Sequence, residues 1–291
     1  MIDLLPQLVL TGLTIGSIYA LVALGFVLIY NVTGILNFAQ GEFPMIGALV
    51  CATFLAWHAS LPFAVLAAVT AAAVLGAVME RLAVEPVFGS HPLTLIIVTF
   101  GVSMAFRGLA LMLWGADPYS LPEFTPGGPF VLLGGVLTRQ AVWAIGLSVV
   151  VTVGLFLFLA RTIPGAAVRA CADNPLASRL VGISPRRMSL FAFTLSAALG
   201  GVGGIVIAPI TGATYDMGLA LGLKGFVAAV IGGLANAPAA VVGGYLVGLI
   251  EALTTGYLTP GYSDAITFLV LLFVLFLQRE GLLHGAQRRQ A

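Results

Sequence analysis

The stretch PQLVLTGLTIGSIYALVALGFVLIYNVTGILNFAQG, from Pro6 to Gly41, contains no charged residue. A membrane-spanning helix needs about 20 consecutive, mostly apolar residues, and this stretch is long enough to supply one. No basic residue precedes it in the N-terminal segment MIDLL, whereas a secretory signal peptide normally begins with a positively charged region. We therefore expect the stretch to be retained as the first transmembrane helix.

The composition extends this interpretation to the whole chain. Of the 291 residues, 60% are hydrophobic and only 8% are charged, against about 25% charged residues in a typical soluble domain. This small number of polar side chains cannot cover a water-facing surface. The surrounding solvent must therefore be lipid. The long continuous runs also exclude a β-barrel, whose strands alternate in segments of about ten residues. The chain is therefore predicted to be an all-α polytopic membrane protein, with residues 1–291 forming a single transmembrane domain.

Apolar runs with at most one charged residue each predict about eight or nine transmembrane helices. The runs lie near residues 7–30, 36–57, 62–80, 93–114, 141–160, 189–209, 219–235, 238–257 and 263–278. The segments 33–43 and 219–235 are candidates for re-entrant structure, which would change the number of crossings.

The net charge of +1 gives no sign of a basic surface for nucleic acid.

The distribution of basic residues predicts the orientation in the membrane. Residues 161–187 contain several arginines against one acidic residue, Asp173. The arginines of this segment are Arg161, Arg169, Arg179, Arg186 and Arg187. The positive-inside rule therefore places it in the cytoplasm, and Arg279, Arg288 and Arg289 place the C-terminus on the same side. The acidic loop 115–140 and the N-terminus are then expected outside.

Two segments interrupt the apolar pattern with polar residues and glycines. The first, NVTGILNFAQGEFPMIGA, runs from Asn31 to Ala48, and the second, TYDMGLALGLKGFVAAVIGGLANAP, runs from Thr214 to Pro238. Irregular backbone within a membrane is tolerated where it is buried in protein or lines a wet cavity. Paired interrupted segments are typical of a substrate path in transporters built from repeats. Four residues of these segments are predicted to line a translocation path, namely Asn37, Gln40, Glu42 and Lys224.

Each charged residue near a span also has a simpler explanation. Glu42 could lie in a short cytoplasmic turn, and Lys224 could reach an interface or pair with Glu42, Asp216 or Glu251. Arg107 is expected to extend to the outer interface as an anchor. Glu251 and Asp264 are expected to be solvated at helix ends. The glycine clusters near residues 200–204, 232–233 and 243–244 are expected to be helix-packing contacts.

The sequence offers no catalytic machinery. It contains no G-x-x-x-x-G-K-[ST] phosphate loop, no H-E-x-x-H motif and no G-x-S-x-G motif, so we expect no ATP site, no metal and no other cofactor. The two cysteines, Cys51 and Cys171, are isolated and are expected to be passive. The absence of these motifs disfavours an enzyme, and nucleotide energy would have to come from another chain.

The arginine-rich segment 161–187 has the features of short helices between two spans. Asn174 and Pro175 are suited to cap and begin a helix, Gly182 is suited to end it, and Ser184-Pro185 to begin the next span. A short helix projecting from the membrane suits docking into a groove of a soluble partner. An ordinary basic connecting loop is the alternative.

Three motifs resemble those of a known family. They are R-A-C-A-D-N-x-x-A-S-x-L-V-G-I-x-x-x-R at residues 169–187, N-V-T-G-I-L-N-F-A-Q-G-E-F-x-M-I-G-A at residues 31–48, and L-G-L-K-G-F-V-A-A-V-I-G-G-L followed by A-P-A-A-V-V-G-G-Y-L-V-G-L-I-E at residues 221–251. Their sequence and order resemble the LivH-type permeases of bacterial branched-chain amino acid ABC importers. With the spans between them they cover nearly the whole chain.

The resemblance implies a type II importer-like helical fold in the bacterial inner membrane, with ATP bound by partner subunits. The implied partners are a second permease of the LivM kind, two ATPase subunits and a periplasmic binding protein. It assigns the docking of the ATPases to the coupling loop 161–187, at Arg169, Ala170, Asn174, Ala177, Gly182 and Ile183. The solute stays open among branched-chain amino acids, other amino acids, amides, urea and aromatic acids. An ATP-independent secondary transporter or channel is the alternative function.

Overall fold

The computed structural model describes residues 4–132, 134–258 and 260–277, and in these ranges the chain forms eleven α-helices. The helices are α1 (Leu5–Thr33), α2 (Glu42–Ala56), α3 (Leu61–Met79), α4 (Pro92–Trp114), α5 (Arg139–Arg161), α6 (Ile163–Asp173), α7 (Pro175–Leu180), α8 (Pro185–Thr211), α9 (Met217–Ile231), α10 (Ala237–Tyr257) and α11 (Pro260–Leu277). A π-helical turn (Glu80–Val84) and a 3₁₀ turn (Glu85–Val87) extend α3. The short strands β1 (Phe130–Leu132) and β2 (Gly135–Leu137) form an antiparallel hairpin.

The structure agrees with an all-α polytopic membrane protein. Each predicted apolar run overlaps one helix, and six of these nine helices are long and apolar enough to cross a membrane. The other three apolar helices are shorter: α2, α9 and the part of α11 between Gly261 and Phe276. Two of them, α2 and α9, fall in the segments whose polar residues predict interrupted structure. The predicted position of the C-terminus depends on three arginines that lie outside the described residues, namely Arg279, Arg288 and Arg289.

Local sequence sets where several helices begin. The side chains of Thr138, Thr162, Asn174 and Asn236 accept backbone N–H groups in the first turn of α5, α6, α7 and α10. Such caps satisfy donors that a helix start otherwise leaves without a partner. Proline also stands in the first turn of α6, α7, α8 and α10, where its missing N–H is no loss. The predicted start of a helix at Asn174-Pro175 is thereby confirmed.

Helix α1 is the central element of the fold. Its most apolar window is 89% buried within the chain, whereas the corresponding windows of α3, α4 and α5 are 22% buried. α1 packs lengthwise and antiparallel against α10, where Gly12 and Gly16 face Gly248 and Gly244. Without side chains at these positions the two backbones approach closely, which is the usual way membrane helices associate. The exposed apolar faces of α3, α4 and α5 are suited to lipid or to another membrane protein.

Contacts at the helix ends define two opposite ends of the molecule. At the first, the Gln7 side chain exchanges hydrogen bonds with the backbone of Val136 in β2, at 2.6 and 3.2 Å. There the backbones of Tyr119 and Ala213 also pair, at 2.8 and 2.9 Å. We call this the hairpin end. The opposite end carries α6 and α7, and we call it the α7 end.

A second glycine-lined contact joins α2 to α8. A Cβ atom added to Gly204 would fall on the carbonyl oxygen of Pro44, and one added to Gly47 would fall on the backbone of Gly201. Gly243 and Gly244 likewise lie against the backbones of Ala228 and Ala20. The interpretation of the glycine clusters as packing contacts is confirmed for most of their members. It is wrong for Gly233, which has open space around it and a φ of 82° in the turn after α9.

This contact predicts that Gly204→Val destabilises the protein. The added side chain must push α8 away from α2, and overpacking of this kind costs about 1–3 kcal/mol. Gly146→Val in α5 is a matched control, because open space surrounds a Cβ atom at that position. Thermal unfolding in detergent should show a lower midpoint for Gly204→Val and an unchanged one for Gly146→Val. Equal midpoints would contradict the close approach of the two helices.

Candidate functional site

Two half-length helices, α2 and α9, meet inside the membrane domain. Each has 15 residues, which corresponds to roughly 22 Å of helix and is shorter than the hydrocarbon core of about 30 Å. The non-helical segment 34–41 leads from the α7 end to the start of α2, and residues 212–216 lead from the hairpin end to the start of α9. The N-termini of the two half-helices therefore face each other in the interior.

Glycines allow the two N-termini to touch. A Cβ atom added to Gly41 would collide with the carbonyl oxygen of Gly218 and with the backbone of Gly222, and one added to Gly218 would collide with the Glu42 carboxylate. We call this place the half-helix junction, formed by residues 37–42 and 218–222. Because a helix N-terminus carries partial positive charge, two such ends favour a negative group here.

Glu42 supplies that negative group. Its side chain is 1% exposed, and its Oε1 atom accepts a hydrogen bond of 2.6 Å from Ser103 Oγ and lies 3.2 Å from Arg107 Nε. The Oε2 atom is buried without a hydrogen-bond donor among the described residues. The explanation of Glu42 as part of a cytoplasmic turn is therefore wrong. Arg107 does not extend to the outer interface either, because an ion pair with Glu42 draws it inwards.

The other two predicted residues of the first segment also lie at the junction. Asn37 is fully buried; its Oδ1 atom accepts from the backbone N–H of Ala39 at 3.0 Å, and its Nδ2 atom has no acceptor in the described part of the chain. Gln40 is fully buried against Gly25 of α1, and its Oε1 atom accepts from Ser196 Oγ of α8 at 2.7 Å. Asn37, Gln40 and Glu42 are therefore all buried in the segment that leads into α2, and each has different partners.

Lys224, the fourth predicted residue, lies in a different cluster. Its Nζ atom is 2.6 Å from Glu251 Oε1 and 3.1 Å from Asp264 Oδ1. Glu251 also accepts a hydrogen bond of 2.6 Å from Tyr19 Oη. Of the acids proposed as partners from the sequence, Glu251 is the one in contact. The expectation of a solvated helix end is wrong for Glu251, which is 15% exposed and pairs with Lys224. Asp264 is solvated near the start of α11, with 69% of its side chain exposed, and it also contacts Lys224.

Sequence reasoning did not identify Ser103, Arg107 or Ser196 as functional candidates. The spacing of Ser103 and Arg107 was an available signal, since residues four apart lie on one face of a helix. Two polar side chains on one face of an otherwise apolar span favour an inward orientation. Nothing in the sequence around Ser196 sets it apart from the other hydroxyl residues of the spans.

At the α7 end, two short helices join α5 to α8. Asn174 ends α6, and its Oδ1 atom accepts from the backbone N–H groups of Leu176 and Ala177, both at 3.0 Å, to begin α7. Gly182 follows with a φ of 83°, a backbone conformation that favours glycine. Of the six residues to which docking was assigned, Arg169, Asn174, Ala177 and Gly182 are exposed and Ala170 and Ile183 are half-buried.

The surface of α7 is unusually apolar for a short exposed helix. Leu176, Leu180 and Val181 are 72%, 89% and 74% exposed. These three neighbours form an apolar surface flanked by Arg179 and Arg186. Apolar surface rimmed by charged residues is typical of a contact with another protein.

Helix α6 connects α7 to the interior. Val168 and Cys171 are buried and pack in one cluster with Leu24 and Leu28 of α1 and with Ala192 of α8. Burial raises the pKa of the Cys171 thiol above its ordinary value, which keeps it in the unreactive thiol form at neutral pH. Leu24 is the neighbour in sequence of Gly25, against which Gln40 packs. The contacts of α6 therefore reach the part of α1 against which Gln40 packs.

Comparisons with known proteins identify the family to which the sequence is similar. The model of the family described as the permease component of branched-chain amino acid transport systems matches residues 8–275. The chain is 33% identical to the high-affinity branched-chain amino acid permease protein BraD of Pseudomonas aeruginosa, over 96% of this chain and 95% of that protein. It is 31% identical to LivH of Escherichia coli, named as a permease of the same kind, over 95% and 94%.

A third relative carries a different description. The autoinducer 2 import system permease protein LsrC of an Enterobacter species is 28% identical, over 95% of this chain and 81% of that protein. No solved structure matches the chain significantly.

Proposed function

This chain belongs to the family of branched-chain amino acid transport permease components, and we propose that it imports branched-chain amino acids across the bacterial inner membrane. It does so as the permease subunit of an ABC importer, driven by partner ATPases. The observation that carries the proposal is the exposed apolar helix α7, held between two spans and seated on α1 through α6. Disruption of the gene should abolish high-affinity uptake of labelled L-leucine by whole cells. Unchanged uptake in a host without another such importer would contradict the proposal.

In this proposal the α7 end faces the cytoplasm and the chain crosses the membrane about nine times. The positive-inside rule supports the orientation, because segment 161–187 contains five arginines and one acidic residue. The half-helices α2 and α9 each complete a crossing together with the non-helical segment that leads to it. The hairpin end then faces the periplasm.

The proposed partners follow from the family and from the charge of the α7 end. Two ATPase subunits bind ATP, so this chain needs no cofactor of its own, and one of them receives α7 in a groove with an apolar floor. The docking surface consists of the apolar residues of α7 together with Arg169, Ala170, Asn174, Ala177, Gly182 and Ile183. A second permease of the LivM kind and a periplasmic binding protein complete the importer.

The proposed translocation path includes the half-helix junction, with Asn37, Gln40 and Glu42, and the cluster around Lys224. A push on α7 would be transmitted through Val168 and Cys171 of α6 to α1 and α8. These two helices hold Gln40 between Gly25 and Ser196. Movement of α1 against α8 would therefore open or close the junction.

Replacement of junction residues tests this path. Asn37→Leu and Gln40→Leu should each lower ATP-driven L-leucine uptake by about tenfold or more, because both remove polar groups from the path and Gln40→Leu leaves Ser196 without its acceptor, at a cost of about 1–3 kcal/mol. Uptake is measured per assembled complex after co-purification with the partners. Thr70→Leu is the matched control, since the Thr70 hydroxyl is exposed and bonds only within α3, to Leu66. Normal uptake by both variants would show that Asn37 and Gln40 contribute to packing and do not line the path.

A further inference from the structure

The Lys224 cluster borders a cavity of about 470 Å³ between α1, α9, α10 and α11. This volume lies in the range of about 300–1,000 Å³ that is common for small-molecule sites. The ionic part of its lining is Lys224, Glu251 and Asp264. The apolar part includes Leu8, Ile15 and Ala252. One wall is therefore charged and another is apolar.

The three charged side chains differ in their exposure and in their number of partners. Glu251 is 15% exposed and satisfied twice, by Lys224 at 2.6 Å and by Tyr19 at 2.6 Å. Asp264 is 69% exposed and lies 3.1 Å from Lys224. An exposed ion pair contributes little to stability, so the contact between Lys224 and Asp264 is the one that a ligand can replace at low cost.

A second observation points to a missing ligand atom. Ser263 lines the same cavity and is 5% exposed, and its Oγ atom has no hydrogen-bond partner among the described residues. A buried hydroxyl without a partner costs free energy. The hydroxyl stands beside Asp264 in sequence and can donate to an acceptor bound next to Lys224.

We propose that this cavity binds the head group of a zwitterionic α-amino acid, inserted between Lys224 and Asp264. The ligand carboxylate accepts from Lys224 Nζ and Ser263 Oγ, and the ligand ammonium group donates to Asp264. The charges then alternate along Asp264, ammonium, carboxylate, Lys224 and Glu251, so none of them is left unpaired. The ligand side chain lies against Leu8, Ile15 and Ala252. This inference rests on the proposed function, because it names where the transported class of solute touches this chain.

The arrangement selects for ligands that carry both charges. An amine without a carboxylate would separate Lys224 from Asp264 without supplying a new anion, and an acid without an ammonium group would leave Asp264 without a cation. Each analogue also lacks one of the charge-assisted hydrogen bonds that the zwitterion makes, and such bonds are stronger than those between neutral groups. Leucine should therefore bind at least about tenfold more tightly than 4-methylpentanoate or 3-methylbutylamine.

The test is binding of tritiated L-leucine to the two permease subunits assembled with their two ATPase subunits, in lipid nanodiscs and without the binding protein. We expect saturable binding, with both one-charge analogues at least about tenfold weaker as competitors. Lys224→Met should abolish leucine binding. Asp264→Asn leaves the pairs of Glu251 with Lys224 and Tyr19 intact. It should lower the affinity for leucine about tenfold, so that leucine and 4-methylpentanoate bind with similar affinity. A purely structural role would not produce that change in selectivity.

The control is Arg81→Gln, which removes an exposed charge paired with Glu85 at 2.7 Å. It should bind leucine as the unmodified importer does. The proposal is overturned if the unmodified importer binds no leucine, if the analogues compete equally, or if Lys224→Met and Asp264→Asn leave binding and selectivity unchanged. ATP-driven leucine uptake by the unmodified importer is measured in parallel. If leucine is transported but the binding results fail, the proposed binding site is wrong while the proposed function stands.

Discussion

Leucine uptake is expected to stop when Leu176 and Leu180 are both replaced by aspartate, while the chain should still insert into the membrane. The two side chains are 72% and 89% exposed on α7, so the substitutions leave the packing of the membrane domain intact. Central apolar residues of an interface contribute about 2 kcal/mol or more each. Loss of both should weaken ATPase docking by about 1,000-fold.

Two measurements check this prediction. Co-purification of the ATPase subunits with the tagged permease should be lost, and uptake of labelled L-leucine should fall to background. The double variant Leu176→Met, Leu180→Met is the control, because it keeps an apolar surface of similar volume and should retain both activities. If the aspartate variant still bound the ATPases and transported leucine, α7 would not be the docking helix.

The second large effect is expected at the half-helix junction, where Glu42→Gln and Arg107→Met should each destabilise the protein. Glu42 is 1% exposed and Arg107 is 20% exposed, with 3.2 Å between their charged groups. Removal of one partner of a buried ion pair costs about 3–5 kcal/mol, because the other charge is left uncompensated. The midpoint of thermal unfolding in detergent should therefore fall in both single variants.

The double variant is the internal control for this pair. Glu42→Gln combined with Arg107→Met leaves no uncompensated charge, so its midpoint should lie above that expected from the sum of the single effects. Arg81→Met, which breaks an exposed pair with Glu85, should cost no more than about 1 kcal/mol. Additive effects of Glu42→Gln and Arg107→Met would show that the two side chains do not interact.

Much of the fold follows from local sequence. The long apolar runs match the apolar helices, Asn174 with Pro175 begins α7, and Gly182 has the positive φ that follows it. Such features depend on a few neighbouring residues, whose preferences act over one or two turns. The polar interruptions near Asn37 and Asp216 also mark where α2 and α9 begin.

The partners of the charged residues could not be predicted in the same way. Glu42 meets Ser103 across 61 positions of sequence, and Lys224 meets Glu251 and Asp264 on two other helices. Such pairs depend on which helices pack together and in which rotation about their axes. All apolar spans favour burial alike, so their composition does not specify these contacts.

The central claim is that this chain transports its solute only with energy delivered by partner ATPases. The most direct test uses proteoliposomes that contain the complete importer, with the binding protein and labelled L-leucine on the periplasmic side. We predict accumulation of leucine with ATP on the side of α7, and none with ADP or with an imposed ion gradient alone. Accumulation driven by an ion gradient in vesicles containing this chain without the ATPases would contradict the account.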